Sequence, residues 1–333
     1  MNRPIRSAEL LTGVLLLTAL LCGCGAAGES ATGEPAPAQA NPAQPAPAAP
    51  RSFTVTVTGR GRPMILIPGL ASSGETWDAT VAHLRARHAC HVLTLAGFAG
   101  VPPVPGPFLT RVRGDIARYI EEQHLDHPII VGHSLGGALA LDLAARHPDK
   151  VGPLVIVDSL PFFAGAAFQV DTVDKAKPMI DAMRAQLNAQ SQPQYEATAR
   201  SGMWTRTMVK SPAHLERIIE WGVTSDGKTV TRAIVEMMGT DLRADLKRID
   251  SPALVLGSWI GMRSQLESAD PANPRQVAVR TFRTQYASLA RMRLAITDTA
   301  RHFIMYDDPA WFFGQLDAFL ADPEGVARDR GEG

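Results

Sequence analysis

From Phe53 onward, short apolar stretches take turns with amphipathic ones. Phe53 to Thr58 alternates apolar and polar residues as a half-buried strand does, and Met64 to Ile67 is a short apolar run stopped by Pro68-Gly69, which reads as a buried strand entering a turn. A loop and helix follow from Ala71 to Arg87. The cycle then repeats: His91 to Leu95 as strand, Thr110 to Gln123 as amphipathic helix, Ile129 to Val131 as strand, Leu135 to Arg146 as helix and Leu154 to Val157 as strand. Strands that alternate with helices predict a mostly parallel sheet with helices on both faces. From Leu160 to Ile249 the strand pattern disappears, and the segment reads as helical with breaks at Pro178, Pro193 and Pro212. The sheet resumes with Ala253 to Leu256 and Arg293 to Thr297, and a last helix opens at Asp308-Pro309, where aspartate caps and proline suits the first turn.

The first fifty residues follow other rules. Arg3 and Arg6 precede an apolar run, Leu10 to Leu21, that is too short to span a bilayer comfortably and reads as a secretory signal. It ends in Leu21-Cys22-Gly23-Cys24, which resembles the bacterial lipobox and implies a lipid on Cys24. The alternative is ordinary cleavage near Ala27, giving a soluble secreted protein. Either way the expectation is export, to the periplasm or cell envelope as a lipoprotein attached to the membrane through Cys24, or as a secreted protein. Residues 25–51 are almost all Ala, Pro, Gly, Gln and Glu, with too little apolar bulk to offset their ordering entropy. At about 3.1 Å per residue, a polyproline-like tether of roughly 25 residues reaches up to about 80 Å. The expected organisation is therefore a signal over 1–24, a linker over 25–51, a core from 52–160 and 250–321, an inserted helical segment over 161–249 and a polar tail over 322–333.

Composition narrows the functional classes. The chain has 333 residues, 45% hydrophobic and 20% charged, which is enough apolar material for a full-sized core. Thirty-three basic residues balance thirty-three acidic ones, so the basic excess that nucleic acid would require is missing. Of three cysteines, two are Cys22 and Cys24, so Cys90 has no partner in the body of the chain and reads as a small apolar residue. His83, His88 and His91 fit no zinc spacing, and Gly59-Arg60-Gly61 lacks the third glycine of a dinucleotide fingerprint. Neither a metal nor a cofactor is implied.

The chemistry concentrates at Gly132-His133-Ser134-Leu135-Gly136, which has the G-x-S-x-G form and stands between an apolar strand and a helix, the context a nucleophile elbow requires. So sharp a turn strains the serine backbone, and Gly132, Gly136 and Gly137 remove side chains that would collide there. The helix beginning at Leu135 aims its amides and positive dipole end at any anion formed nearby. His133 is expected to pack rather than to act as a base.

On these residues the chain resembles an α/β-hydrolase fold serine hydrolase of the capped esterase type, from about Phe53 to Leu320. The resemblance implies the α/β-hydrolase fold, with a helical cap inserted after the sixth strand over the Ser134 site. Ile67-Pro68-Gly69-Leu70 is similar to the family's oxyanion loop, with Pro68 where histidine is usual. Family logic makes the Leu70 and Leu135 amides the oxyanion donors, and losing one such donor typically costs about 100- to 1,000-fold in rate. Arg301-His302-Phe303 resembles the family's terminal histidine loop, with Arg301 replacing the usual glycine, and makes His302 the general base. The acid is less regular. Where the family usually carries it, after Ala253 to Gly257, stand Ser258, Trp259 and Ile260. Some members place it one strand earlier, which selects Asp158; Glu267 and Asp270 in the later loop, Asp298, or a dyad without an acid are the alternatives.

The implied activity is hydrolysis of a small-molecule carboxylic ester, or a thioester or lactone, through an acyl group on Ser134. Carbon–carbon bond hydrolysis or peracid formation on the same residues is the second reading, and a non-catalytic surface lipoprotein that binds a ligand is the third. Six of the 11 methionines (Met179, Met183, Met203, Met208, Met237 and Met238) fall in the insertion. They suggest an apolar acyl or aromatic substrate, or else simply fill the insertion's own core.

Overall fold

The computed structural model describes residues 51–326, the side chain of Gln265 excepted. The signal segment, Cys24, the linker up to Pro50 and the tail from Ala327 lie outside the described residues. Among the described residues, seven strands form one sheet: β1 (Phe53–Gly59), β2 (Arg62–Ile67), β3 (His88–Leu95), β4 (Ile129–His133), β5 (Leu154–Val157), β6 (Ala253–Ser258) and β7 (Met292–Thr297). Their order across the sheet is β1-β3-β2-β4-β5-β6-β7; β1 runs antiparallel to β3 and every other pair is parallel. Helices α1 (Asp78–Leu84), α2 (Phe108–Glu122) and α3 (Leu135–Arg146) connect the first strands. Between β5 and β6 come α4 (Phe163–Phe168), α5 (Val173–Asn188), α6 (Gln192–Arg200), α7 (Pro212–Val223) and α8 (Gly227–Met238). Helices α9 (Arg263–Ala269) and α10 (Pro274–Gln285) precede β7, and α11 (Ile304–Asp307) and α12 (Pro309–Ala321) follow it.

The central strands are apolar without interruption because both of their faces are covered. Ile65, Ile67, Ile130, Ile156 and Val255 point into one core with residues of α2, α3 and α10. Their neighbours in sequence, Met64, Leu66, Val131, Val155 and Leu254, point into the other with Trp77, Leu84, Phe312 and Leu316. Each such side chain contributes about 1.5–3 kcal/mol by leaving water, so the two cores fix the register of every parallel strand. α12 opens as its sequence requires, with the Asp308 carboxylate accepting from the Trp311 amide at 3.1 Å.

The helical insertion is present and is a cap by position, but it follows the fifth strand of this chain and not the sixth. Among the described residues a single strand, β1, precedes β2, and β1 forms one edge of the sheet. Pro193 and Pro212 stand in the first turns of α6 and α7, where proline is tolerated. Pro178 does not break the chain as its type suggested: α5 runs through it, held by Ala176 and Ile180, which pack with Phe162, Val235 and Met238 in a third core. The insertion is also tied to the sheet helices. Pro107 offers no side-chain cap to α2, and the Glu236 carboxylate from α8 accepts from the Phe108 and Leu109 amides at 2.9 and 2.8 Å instead.

Candidate active site

Ser134 sits between β4 and α3 with φ 53° and ψ −119°, a backbone conformation that costs a non-glycine residue strain. The surroundings hold it there. The Ser134 amide donates to the Val157 carbonyl at 2.9 Å, and the glycines let three backbones meet. A Cβ on Gly132 would lie 2.2 Å from the Gly136 carbonyl oxygen, and one on Gly136 would lie 2.3 Å from that of Ile67. From Pro128 to Ala145 every residue is buried except Ser134, so the turn delivers this one hydroxyl to the surface of the sheet.

The strand-end loop after β2 abuts this elbow. A Cβ on Gly69 would stand 3.3 Å from the Ser134 Cβ and 3.0 Å from His133 Nδ1, so the backbone that carries Leu70 passes directly beside the serine. Leu135 is the first residue of α3, where an amide has no acceptor within its own helix. The two amides expected to act as oxyanion donors thus come from adjoining stretches of backbone, β2's end and α3's start.

Asp158 and His302 are brought together. Asp158 follows β5, a strand buried throughout, and takes φ 46°, a left-handed conformation that aspartate tolerates. Its Oδ2 lies 2.6 Å from His302 Nδ1, while its Oδ1 accepts from the Ser258 amide at 2.8 Å. The strand after which an aspartate was missing therefore contributes its terminal N–H to an aspartate from the strand beside it. With Nδ1 engaged as donor to the carboxylate, the imidazole keeps Nε2 free to accept a proton.

The other carboxylates considered are committed elsewhere. Asp298 accepts from Arg275 Nε at 2.6 Å and Trp259 Nε1 at 3.0 Å. Glu267 is not in a loop but on α9, paired with Arg263 at 2.7 Å, and Asp270 accepts from the Ala272 and Asn273 amides.

His133 is buried, and its Nε2–H donates to the His302 carbonyl at 3.1 Å while its ring packs on Phe303. Burial first, and the neighbouring His302 second, push its pKa well below the ordinary 6.5, so it stays neutral. Tyr286 donates to the Ser159 carbonyl at 2.8 Å, and burial followed by the nearby Asp158 charge raises its pKa, keeping it a donor. The supporting parts that the sequence did not reveal are the Ser258 amide, Tyr286 and the Arg301 guanidinium. The first is backbone and has no residue signature; the second is far along the chain from Asp158. Arg301 did leave a signal, as an arginine where glycine is usual. Of the insertion's methionines, Met238 is buried and Met183, Met208 and Met237 pack against the cores, while Met203 and Trp204 are 62% and 53% exposed. Among the described residues no cluster of His, Cys, Asp and Glu could hold a metal ion.

The profile of the alpha/beta hydrolase family matches residues 64–315, which includes the elbow, Asp158 and His302. The chain belongs to the alpha/beta hydrolase family. Within it, a pimeloyl-acyl-carrier-protein methyl ester esterase of Vibrio atlanticus is 34% identical over 110 residues, 33% of this chain and 41% of that protein. The chain thus matches less than half the length of that curated relative. An N-formylmaleamate deformylase of Pseudomonas putida is 26% identical over 269 residues, 80% of this chain and 91% of that protein. Among solved structures, an esterase from Exiguobacterium antarcticum superposes with a TM-score of 0.64 at 16% identity, over 81% of this chain and 95% of that chain, a likeness of fold.

Proposed function

We propose that this hydrolase-family protein cleaves small carboxylic esters through a Ser134 acyl-enzyme, with His302 as general base and Asp158 as the acid that orients it. The observation that carries the reading is the 2.6 Å contact of Asp158 Oδ2 with His302 Nδ1, together with a serine at a positive-φ elbow whose amide bonds to Val157, the residue before Asp158. His302 Nε2 takes the Ser134 proton as Oγ bonds to the ester carbonyl carbon. The carbonyl oxygen becomes an oxyanion that the Leu70 and Leu135 amides receive, and preorganised donors of this kind supply much of such a reaction's acceleration. Collapse breaks the ester C–O bond, and the proton on His302 passes to the departing alcohol. Water then adds to the acyl carbon with His302 again taking the proton, and the acid is released as Ser134 regains its hydrogen.

An apolar acyl or aromatic group is the substrate favoured by the Met203 and Trp204 side chains left exposed on the cap segment. Thioesters and lactones present the same carbonyl. The sequence signals for export favour an activity outside the cytoplasm, either attached to the membrane through a lipid on Cys24 or, after ordinary cleavage near Ala27, secreted. The test is hydrolysis of 4-nitrophenyl esters: a burst of nitrophenol equal to the enzyme present, lost in Ser134→Ala, supports an acyl-enzyme, while hydrolysis that survives Ser134→Ala contradicts it.

A further inference from the structure

Residues 299–303, which carry His302 away from β7, bond alternately to two partners. The even positions face the sheet: Ser258 Oγ donates to the Ala300 carbonyl at 2.9 Å, His133 Nε2 donates to the His302 carbonyl, and His302 Nδ1 meets Asp158. Thr299, Arg301 and Phe303 bond to the cap segment 206–210, between α6 and α7, although the Phe303 ring itself packs on His133. Lys210 Nζ donates to the Thr299 carbonyl. Arg301 Nη1 donates to the Arg206 and Val209 carbonyls, each at 2.9 Å, and the Phe303 amide donates to the Met208 carbonyl at 3.1 Å. Asp307 closes the set, its carboxylate accepting from the Arg301 amide at 2.9 Å and the Lys210 amide at 2.8 Å. The segment 206–210 lies outside any helix, so its carbonyls are free of a helical ladder and need partners of this kind.

Building on the reading of His302 as general base, we infer that Arg301 is a positioning residue whose guanidinium straps the cap segment 206–210 across the histidine loop, so that His302 is held in its working place only while the cap is docked. A single guanidinium nitrogen carries two N–H groups and reaches two carbonyls at once; glycine at this position would reach neither. The cap therefore does more than cover the site, because one side of the loop that carries the base is bonded to it.

The experiment compares full-length wild type, Arg301→Ala, Arg301→Lys and Lys210→Met by kcat and KM on 4-nitrophenyl acetate, a substrate too small to need the cap, and by amide hydrogen exchange. In Arg301→Ala kcat falls about 10- to 100-fold, as a misplaced catalytic group costs. KM changes by less than about threefold, the mark of an interaction made in the transition state. Arg301→Lys, which restores a donor, recovers most of kcat, and in Arg301→Ala the peptides covering 206–210 and 299–303 exchange faster together. Wild-type kcat in Arg301→Ala overturns the inference, and so does a loss that lysine does not rescue and that rises equally in KM. If Arg301→Ala does not fold, Arg301→Met keeps the aliphatic stem while removing the guanidinium, and unchanged kcat and exchange in that variant overturn the inference; Lys210→Met, which cuts only the bond to Thr299, is the comparison that leaves the Arg301 bonds in place. If wild type hydrolyses no ester, the proposed function fails, and exchange alone decides the strap: coupled acceleration supports it and independent exchange overturns it.

Discussion

Asp158 uses its two carboxylate oxygens for different purposes, one on the Ser258 amide and one on the His302 imidazole. Asp158→Asn preserves the shape but can offer His302 an amide N–H in place of an acceptor, which favours the wrong tautomer. Turnover is expected to fall on the order of 10³- to 10⁴-fold with KM little altered, as measured by steady-state kinetics on a nitrophenyl ester. His133 carries a second expectation. Its folded-state pKa lies below 6.5, so the unfolded chain binds the proton first as pH falls. The stability due to neutral His133 is therefore present above 6.5 and is lost as pH drops from 6.5 toward the folded value. His133→Gln keeps a donor without the titration, and its melting temperature is expected to fall less steeply with acid than that of wild type. At this scale the sequence pointed to Ser134 through its motif, and to His302 and Asp158 through the resemblance to a family that in some members places the acid one strand earlier. It could not reveal that Ser258 holds Asp158, because a backbone amide looks the same in every residue.

At the scale of elements, the elbow shows why local sequence was legible where backbones crowd. Leu135 to Arg146 was read with the boundaries that α3 has, because the G-x-S-x-G turn marks its start and the Ala- and Leu-rich run from Ala138 to Ala145 favours helix. Gly132→Ala would drive a Cβ to 2.2 Å from the Gly136 carbonyl, and overpacking of this kind costs about 1–3 kcal/mol or more. Gly114, in α2, faces open space, and Gly114→Ala is expected to stabilise by about 0.5–1 kcal/mol. Urea denaturation of the two variants checks the opposite signs together. Helices α9 and α10 were not read from the sequence, because few of their residues are buried and the apolar period is weak. The proline at 178 misled for a related reason: the buried residues on either side of it keep α5 continuous.

For the whole molecule, alternation of strand and helix was enough to foresee a parallel sheet with two covered faces, since parallel strands need crossovers and crossovers supply the helices. Strand order and the cap's attachments were not legible, because they depend on contacts such as Glu236 with the start of α2 that span over a hundred residues. The N-terminal signals carry a separate expectation for the whole chain. If Cys24 bears lipid, the protein isolated from membranes partitions into a detergent phase, Cys24→Ser moves it to the aqueous phase, and intact mass shows acyl chains; an unmodified N-terminus near Gly28 removes the anchor. The central claim, that Ser134 is a nucleophile activated by His302, is tested most directly by treating the folded protein with a fluorophosphonate and locating the adduct by peptide mass spectrometry. One adduct on Ser134, absent in Ser134→Ala and weak in His302→Ala, is the expected result; no adduct, or one that forms equally well without His302, would contradict it.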